Sequence, residues 1–206
     1  MSFYNKYNFL LKDFTAKNSV RPEIDGIFIT PKKTIATDSY QLLVVESVKA
    51  NPEDYPKIPN KPDMRVDFRP FILPTEKAND VIKLFKSSSG SLPILENAVV
   101  MMRGKQQVEI GRTDLSSYNS VVSRIVEGRF PETNDILVER GKYVEICVNP
   151  TFLKKIAGFF SSFIDENQKG LTIRVPVNGE SPIFFTGERK ATGQKAKAVL
   201  MPIRNS

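Results

Sequence analysis

The chain has 206 residues, 40% of them apolar, with 30 Lys and Arg against 23 Asp and Glu and a formal net charge of +7. Such a length allows one or two domains with a sizeable core. The complete absence of histidine removes Ser-His-Asp and Cys-His catalysis and the usual histidine-containing zinc sites, and the positive balance favours a polyanionic partner.

Nucleic acid suits that charge better than a membrane does, since no strongly amphipathic basic helix of the interfacial kind occurs. No run of about 18 apolar residues is present, and the opening MSFYNKYNFLLKDF lacks the basic start and long greasy run of a secretory signal, so a cytoplasmic location is expected. The single cysteine, Cys147, lies in the apolar run VEICV and is expected to be a buried small residue.

In chain order, residues 7–19 place Phe9, Leu10, Leu11 and Phe14 at the spacing of one helix resting on a core. GIFIT, a PKK turn and TIATDSYQLLVVESV then read as strands. The segment from Lys49 to Pro70 holds five prolines, which rule out a central strand over most of it and mark a surface connection.

From Phe71 a short strand breaks at Pro74, with Thr75 as the expected helix cap. Val81, Ile82, Leu84 and Phe85 supply the apolar face, and Gly90 the stop. NAVVMMR, QQVEIGRTD and NSVVSRIVE read as strands, with turns at Gly104 and Gly128. EICVNPTFLKKIAGFFSSF repeats the order strand, break, helix, and GLTIRVPVN, SPIFFTGE and AKAVLMPIR repeat the strands. The basic hairpin GERKATGQKAK, Gly187 to Lys197, is expected to be a mobile loop.

The last two segments match at an offset of 75 residues: Leu73-Pro74-Thr75 on Val148-Asn149-Pro150, Val81 on Ile156, Leu84 on Phe159, Phe85 on Phe160, Val108 on Ile183 and Ile110 on Phe185. The first 50 residues fit a third, shorter version of the same order. No metal-ligand spacing or phosphate-cradling glycine loop accompanies the repeat, so no cofactor, metal or catalytic residue is expected; an enzyme working through carboxylates such as Asp38 or Glu127 is the remote alternative.

Three separated segments, TIATDSYQLLVVE (Thr34–Glu46), VVSRIVEGRFPETNDIL (Val121–Leu137) and AVLMPIR (Ala198–Arg204), resemble signature segments of the bacterial sliding clamp, the beta subunit of DNA polymerase III, and stand in that family's order. The resemblance implies an α+β sliding-clamp fold of repeated helix-plus-antiparallel-sheet units. Residues 1–138 resemble a complete middle domain, with the Pro-rich connection at about 49–70. Residues 139–206 resemble only the second half of the last domain, which puts the usual two-subunit ring in doubt.

It also implies a DNA polymerase processivity factor, not an enzyme, which forms a homo-oligomer. Such a protein holds duplex DNA without sequence preference and tethers polymerase and clamp-loader proteins through short peptide motifs. The implied peptide groove comprises Thr37, Ser39, Tyr40, Gln41 and Leu42; Pro131 and Ile136; Asn149 and Phe152; and Val199, Leu200, Met201, Pro202, Ile203 and Arg204. GRFPETNDIL would close the first domain and lead into this groove. Ser39-Tyr40-Gln41 replaces a common Gly-His-Arg type run, and Asp135 stands where a basic residue is frequent. The implied DNA contacts are Lys12, Lys17 and Arg21, then Lys77, Lys83 and Lys86, then Lys154 and Lys155. The other reading is a small interaction module that keeps the groove without encircling DNA and acts as a decoy or regulator of clamp-binding proteins.

Overall fold

A computed structural model describes residues 3–49, 68–85, 93–139, 141–165, 170–177 and 181–203. Most of the Pro-rich connection, Gly90, Lys86 and Arg204 lie outside the described residues. Two compact units divide the chain, residues 1–135 and 136–206.

The first unit contains strand β1 (Phe3–Tyr4), helix α1 (Lys6–Phe9), strands β2 (Gly26–Ile29), β3 (Lys33–Thr37), β4 (Leu42–Glu46) and β5 (Phe71–Pro74), helix α2 (Thr75–Lys83), and strands β6 (Ala98–Arg103), β7 (Gln107–Thr113) and β8 (Tyr118–Arg124). These strands form two four-stranded antiparallel sheets, ordered β4-β3-β2-β5 and β1-β6-β7-β8. The leading strand of each half thus crosses into the other half's sheet: β1 pairs with β6, and β5 with β2.

Each half is latched by a backbone hydrogen bond from the chain just past its last strand to its own leading strand. Val48 N–H donates to the Phe3 carbonyl at 2.8 Å, and Val126 N–H to the Ile72 carbonyl at 2.9 Å. Between the sheets lies one core that includes Tyr4, Phe9, Leu11, Ile27, Ile29, Leu73, Val81, Val100 and Ile110.

The helix expected over residues 7–19 is shorter than its apolar spacing implies. After α1 the chain tightens into a 3-10 turn at Leu10–Phe14. Thr15 directs both its N–H and its hydroxyl to the Lys12 carbonyl, and the Ala16 N–H goes to Ile24, so the next helical turn has lost its donors. Asn5 and Asn8 form a reciprocal capping box at the start of α1. Asn8 is fully buried, and its amide nitrogen also bonds the Thr34 hydroxyl and the Glu46 carbonyl, tying α1 to the β3–β4 hairpin.

Thr75 does not cap α2 as expected. It is the first helical residue, and its hydroxyl donates to the Asp25 carbonyl at 2.6 Å and lies 2.8 Å from the Thr15 hydroxyl, pinning the two halves together. At the other end of α2 the buried Arg112 donates to the Leu84 and Leu95 carbonyls at 2.6 and 2.7 Å.

The second unit has helix α3 (Pro150–Phe163) and strands β9 (Thr172–Arg174), β10 (Ile183–Arg189) and β11 (Gln194–Leu200), in one antiparallel sheet ordered β11-β10-β9. Asn149 caps α3 by accepting the Thr151 N–H, with Pro150 in the first helical turn. Leu153, Ile156, Phe160 and Phe163 form the helix face that meets Ile183, Phe185 and Leu200. Gly187 permits this packing, because a Cβ there would lie about 3.0 Å from Phe160 and Ile164.

The strand expected in EICV does not form: residues 142–149 join no ladder among the described residues. Cys147 is therefore exposed rather than buried. The same latch nonetheless recurs, with Ile203 N–H donating to the Cys147 carbonyl at 2.7 Å. The basic segment 187–197 is no open loop; the β10–β11 ladder pairs continuously to Arg189 and Gln194 and closes on the positive-φ Gly193. At an offset of 75, the first residues of α2 and α3 coincide, and Val108 and Ile110 of β7 fall on Ile183 and Phe185 of β10.

Candidate functional site

In the first unit, the candidate residues sit on the face of the β4-β3-β2-β5 sheet that turns away from the main core. Ile35, Ile72 and Phe130 form a second buried cluster there, with Phe28, Leu42, Val44 and Val126 packed against it. Phe130 lies parallel to Phe28, with ring centroids 4.9 Å apart and planes inclined by 5°. This accounts for the Phe-Pro of GRFPETNDIL: Gly128, at φ +133°, turns the chain so that Phe130 covers the sheet. A cavity of about 380 Å³ beside the stack is lined by Phe28, Lys33, Ile35, Phe130 and Pro131, among others.

The β3–β4 turn displays Tyr40. Asp38 accepts the Tyr40 and Gln41 N–H groups, both at 2.9 Å, and the Gln41 side-chain amide, while Thr37 donates to the Gln41 carbonyl. The backbone donors of Tyr40 and then Gln41 hold the Asp38 carboxyl below its ordinary range. Ser39 adopts φ +77°, and Tyr40 projects its ring almost wholly into solvent, 97% exposed. A hydrogen-bonded polar turn thus carries an exposed aromatic side chain two residues before Leu42, which packs against that cluster.

In the second unit, Leu200 is buried in the core beneath α3, whereas Val199 points to the opposite face of the sheet and is exposed. Met201 and Ile203 are also exposed, and Ile203 is held through its backbone latch to Cys147. Phe152 stands out from the first turn of α3 with Lys155 Nζ 5.9 Å from its ring centroid, and Ile136 is exposed. Pro202 is half-buried and Asn149 is taken up with capping. Thr37, Ser39, Tyr40, Gln41, Leu42 and Pro131 therefore belong to the first unit, and Ile136, Asn149, Phe152 and Val199–Ile203 to the second.

The candidate DNA-contacting residues differ in how free their charges are. Lys12 pairs with Asp13 at 2.7 Å. Lys77 and Lys83 both engage Asp80, at 3.3 and 2.9 Å, and these bonds, that from Lys83 first, hold the Asp80 carboxyl below its ordinary range. Lys17 and Arg21 are exposed around the turn before β2, and Lys154 and Lys155 lie on the exposed side of α3.

Sequence reasoning missed Phe28, Ile35 and Phe130. The available signal was that GIFI and TIAT are apolar at adjacent positions rather than alternating, which marks a strand covered on both faces. Among the described residues no acidic, cysteine or histidine group could hold a metal ion, and no helix is long and apolar enough to cross a membrane.

Two sheets, helices set against them and a recurring leading strand define a fold that solved structures share. No protein-family model and no curated protein matches the chain. Its structure is similar to the Pseudomonas aeruginosa DNA polymerase III subunit beta, with a TM-score of 0.67 and 16% identity over 96% of this chain and 48% of that one. The Bacillus subtilis sliding clamp matches with a TM-score of 0.64 and 14% identity over 98% of this chain and 48% of that one. A Helicobacter pylori beta clamp bound to a DNA ligase peptide matches with a TM-score of 0.59 and 15% identity, covering 98% and 49%. The chain has the α+β sliding-clamp fold, as its three signature-like segments imply. It spans about half the length of the clamps it matches.

Proposed function

We propose that this chain is a clamp-like processivity factor rather than an enzyme: as a homo-oligomer it holds duplex DNA without reading sequence and tethers polymerase and loader-type partners through short peptide motifs. The observation that carries this reading is the clamp fold running through 96% of the chain. In this proposal residues 1–138 form one complete clamp-like domain and residues 139–206 a half domain. The three equivalent backbone latches support that division.

The peptide groove assigned by the resemblance names the Tyr40 turn, Leu42 and Pro131 in the first unit, and Ile136, Phe152 and the tail Val199–Arg204 in the second. Its apolar anchors are flanked by a few polar groups, which is the composition of a peptide-docking site. Met201 would let the wall adjust to different side chains. Lysines and arginines on the helical side would neutralise phosphates, giving an affinity that falls steeply with salt.

The test is a mass measurement in solution with and without a clamp-binding peptide, paired with retention on closed circular and linear duplexes. A higher oligomer that binds the peptide and is kept by circles but slides off linear ends supports the proposal; a peptide-binding species indifferent to both DNAs refutes encirclement. The second reading, a decoy or regulator that ignores DNA, has one observation in its favour: Asp80 already occupies both Lys77 and Lys83 on α2.

A further inference from the structure

The first unit contains the rule for completing the second. Each of its halves lends its leading strand to the other half's sheet: Phe3 lies opposite Val99, and Ile72 opposite Phe28. The exchange buries both sides, so Phe71, Ile72 and Leu73 on one leading strand and Ala98, Val99 and Val100 on one receiving strand are all at most 4% exposed.

The second unit has the same parts, and among its described residues no such exchange occurs. Its leading segment, Glu145–Val148, joins no ladder among the described residues, and β9, the receiving strand, is an outer strand. Three counterparts of those buried residues are accordingly open, since Cys147 and Thr172 are exposed and Ile173, the counterpart of Val100, is 52% exposed, while Ile146, Val148 and Leu171 pack partly against their own unit's core. Phe159 of α3 is also 52% exposed, whereas Leu84, its counterpart at the offset of 75, packs into the first unit's core.

We propose that the second units of two copies of this chain complete one another, each laying its segment Glu145–Val148 along the other's β9. The register follows from the first unit. Phe3 and Cys147 are equivalent because each carbonyl accepts the latch. Val99 lies opposite Gly111, the offset carries Gly111 to Thr186, and Thr186 lies opposite Thr172. Cys147 of one copy therefore falls opposite Thr172 of the other, with Val148 on Leu171, Ile146 on Ile173 and Glu145 on Arg174.

That register brings a carboxylate to a guanidinium and matches apolar to apolar, which argues for a second copy rather than an unrelated occupant. The arrangement is isologous: a two-fold axis repeats every pair, and the β9 edge of each copy is covered. Because the Cys147 carbonyl already serves the latch, Cys147 and Thr172 form a pair without mutual hydrogen bonds, where Cα atoms lie about 4.5 Å apart, within disulfide reach.

The inference stands on the internal repeat and not on the functional reading. Its test is Thr172→Cys, which gives the natural Cys147 one partner across the predicted interface. Under mild oxidation this variant should run as a covalent dimer on non-reducing gels, and Ser120→Cys, on the exposed β8, should not. Glu145→Arg or Arg174→Glu alone should weaken self-association roughly tenfold, since two symmetric pairs become repulsive, and the double exchange should restore it. A wild-type chain that sediments as a single copy at tens of micromolar, or a Thr172→Cys variant that closes only within one chain, overturns the proposal. A single-copy chain would also remove the homo-oligomer of the proposed function, whereas a chain that self-associates but fails the Thr172→Cys and charge-exchange tests overturns this interface alone.

Discussion

Phe130→Ala removes the ring that covers the outer face of the β4-β3-β2-β5 sheet. Phe130 is 7% exposed and its partner Phe28 lies parallel at 4.9 Å, so the substitution loses both burial and an aromatic pair. Truncating a buried Phe costs about 3–5 kcal/mol. The lower end applies here, because Phe130 is in an irregular segment that can settle and borders an existing cavity of about 380 Å³. The Phe28–Phe130 contact accounts for about 0.5–1.5 kcal/mol of that loss, measured as coupling in a double-mutant cycle with Phe28→Ala. Hydrogen exchange of the β2 and β3 amides, together with denaturant unfolding followed by circular dichroism, reports the first unit directly. A loss below about 1 kcal/mol, or two single substitutions that add without coupling, would refute the claim that this face is a second core.

Arg112→Met keeps the aliphatic stem but strands the Leu84 and Leu95 carbonyls. It should cost about 2–4 kcal/mol in urea unfolding, against almost nothing for the exposed Arg124→Met. Asp38 has a depressed carboxyl, so its contribution to the order of the Tyr40 turn is complete above the ordinary aspartate value of about 3.9 and is lost as pH falls through the lower folded value. The Tyr40 and Gln41 amide resonances should follow that titration with a midpoint below the ordinary value, and a midpoint at or above it contradicts the assignment. A Cβ added at Gly111 would fall on the Tyr118 ring, so Gly111→Ala should destabilise by about 1–3 kcal/mol. Thermal melts in a Tyr118→Ser background should recover most of that loss; an equal loss in both backgrounds counts against the clash.

The sheets and the helix offset were legible because β6, β7 and β10 carry apolar residues in strand-length runs and α3 opens on Asn149-Pro150, a local start signal. Less local features escaped. The shortening of α1 depends on Ile24 accepting the Ala16 N–H, a contact no helical periodicity reveals. Thr75 reads as a cap in sequence and acts as a tie between halves because Asp25 happens to present its carbonyl there. The three clamp-like segments were readable, yet the Phe28–Phe130 stack was not, since it joins residues far apart in the chain. Cys147 misled for a related reason: its apolar neighbours imply burial, but its segment pairs with no strand among the described residues.

The latches from Val48 to Phe3, Val126 to Ile72 and Ile203 to Cys147 are made by main-chain atoms alone. Any residue but proline at the three donor positions keeps them, so mutation can rewrite the surface and much of the interior while the closure of every module persists. An architecture fastened in this manner tolerates deep divergence, and its fold is more durably recorded in geometry than in residue identity.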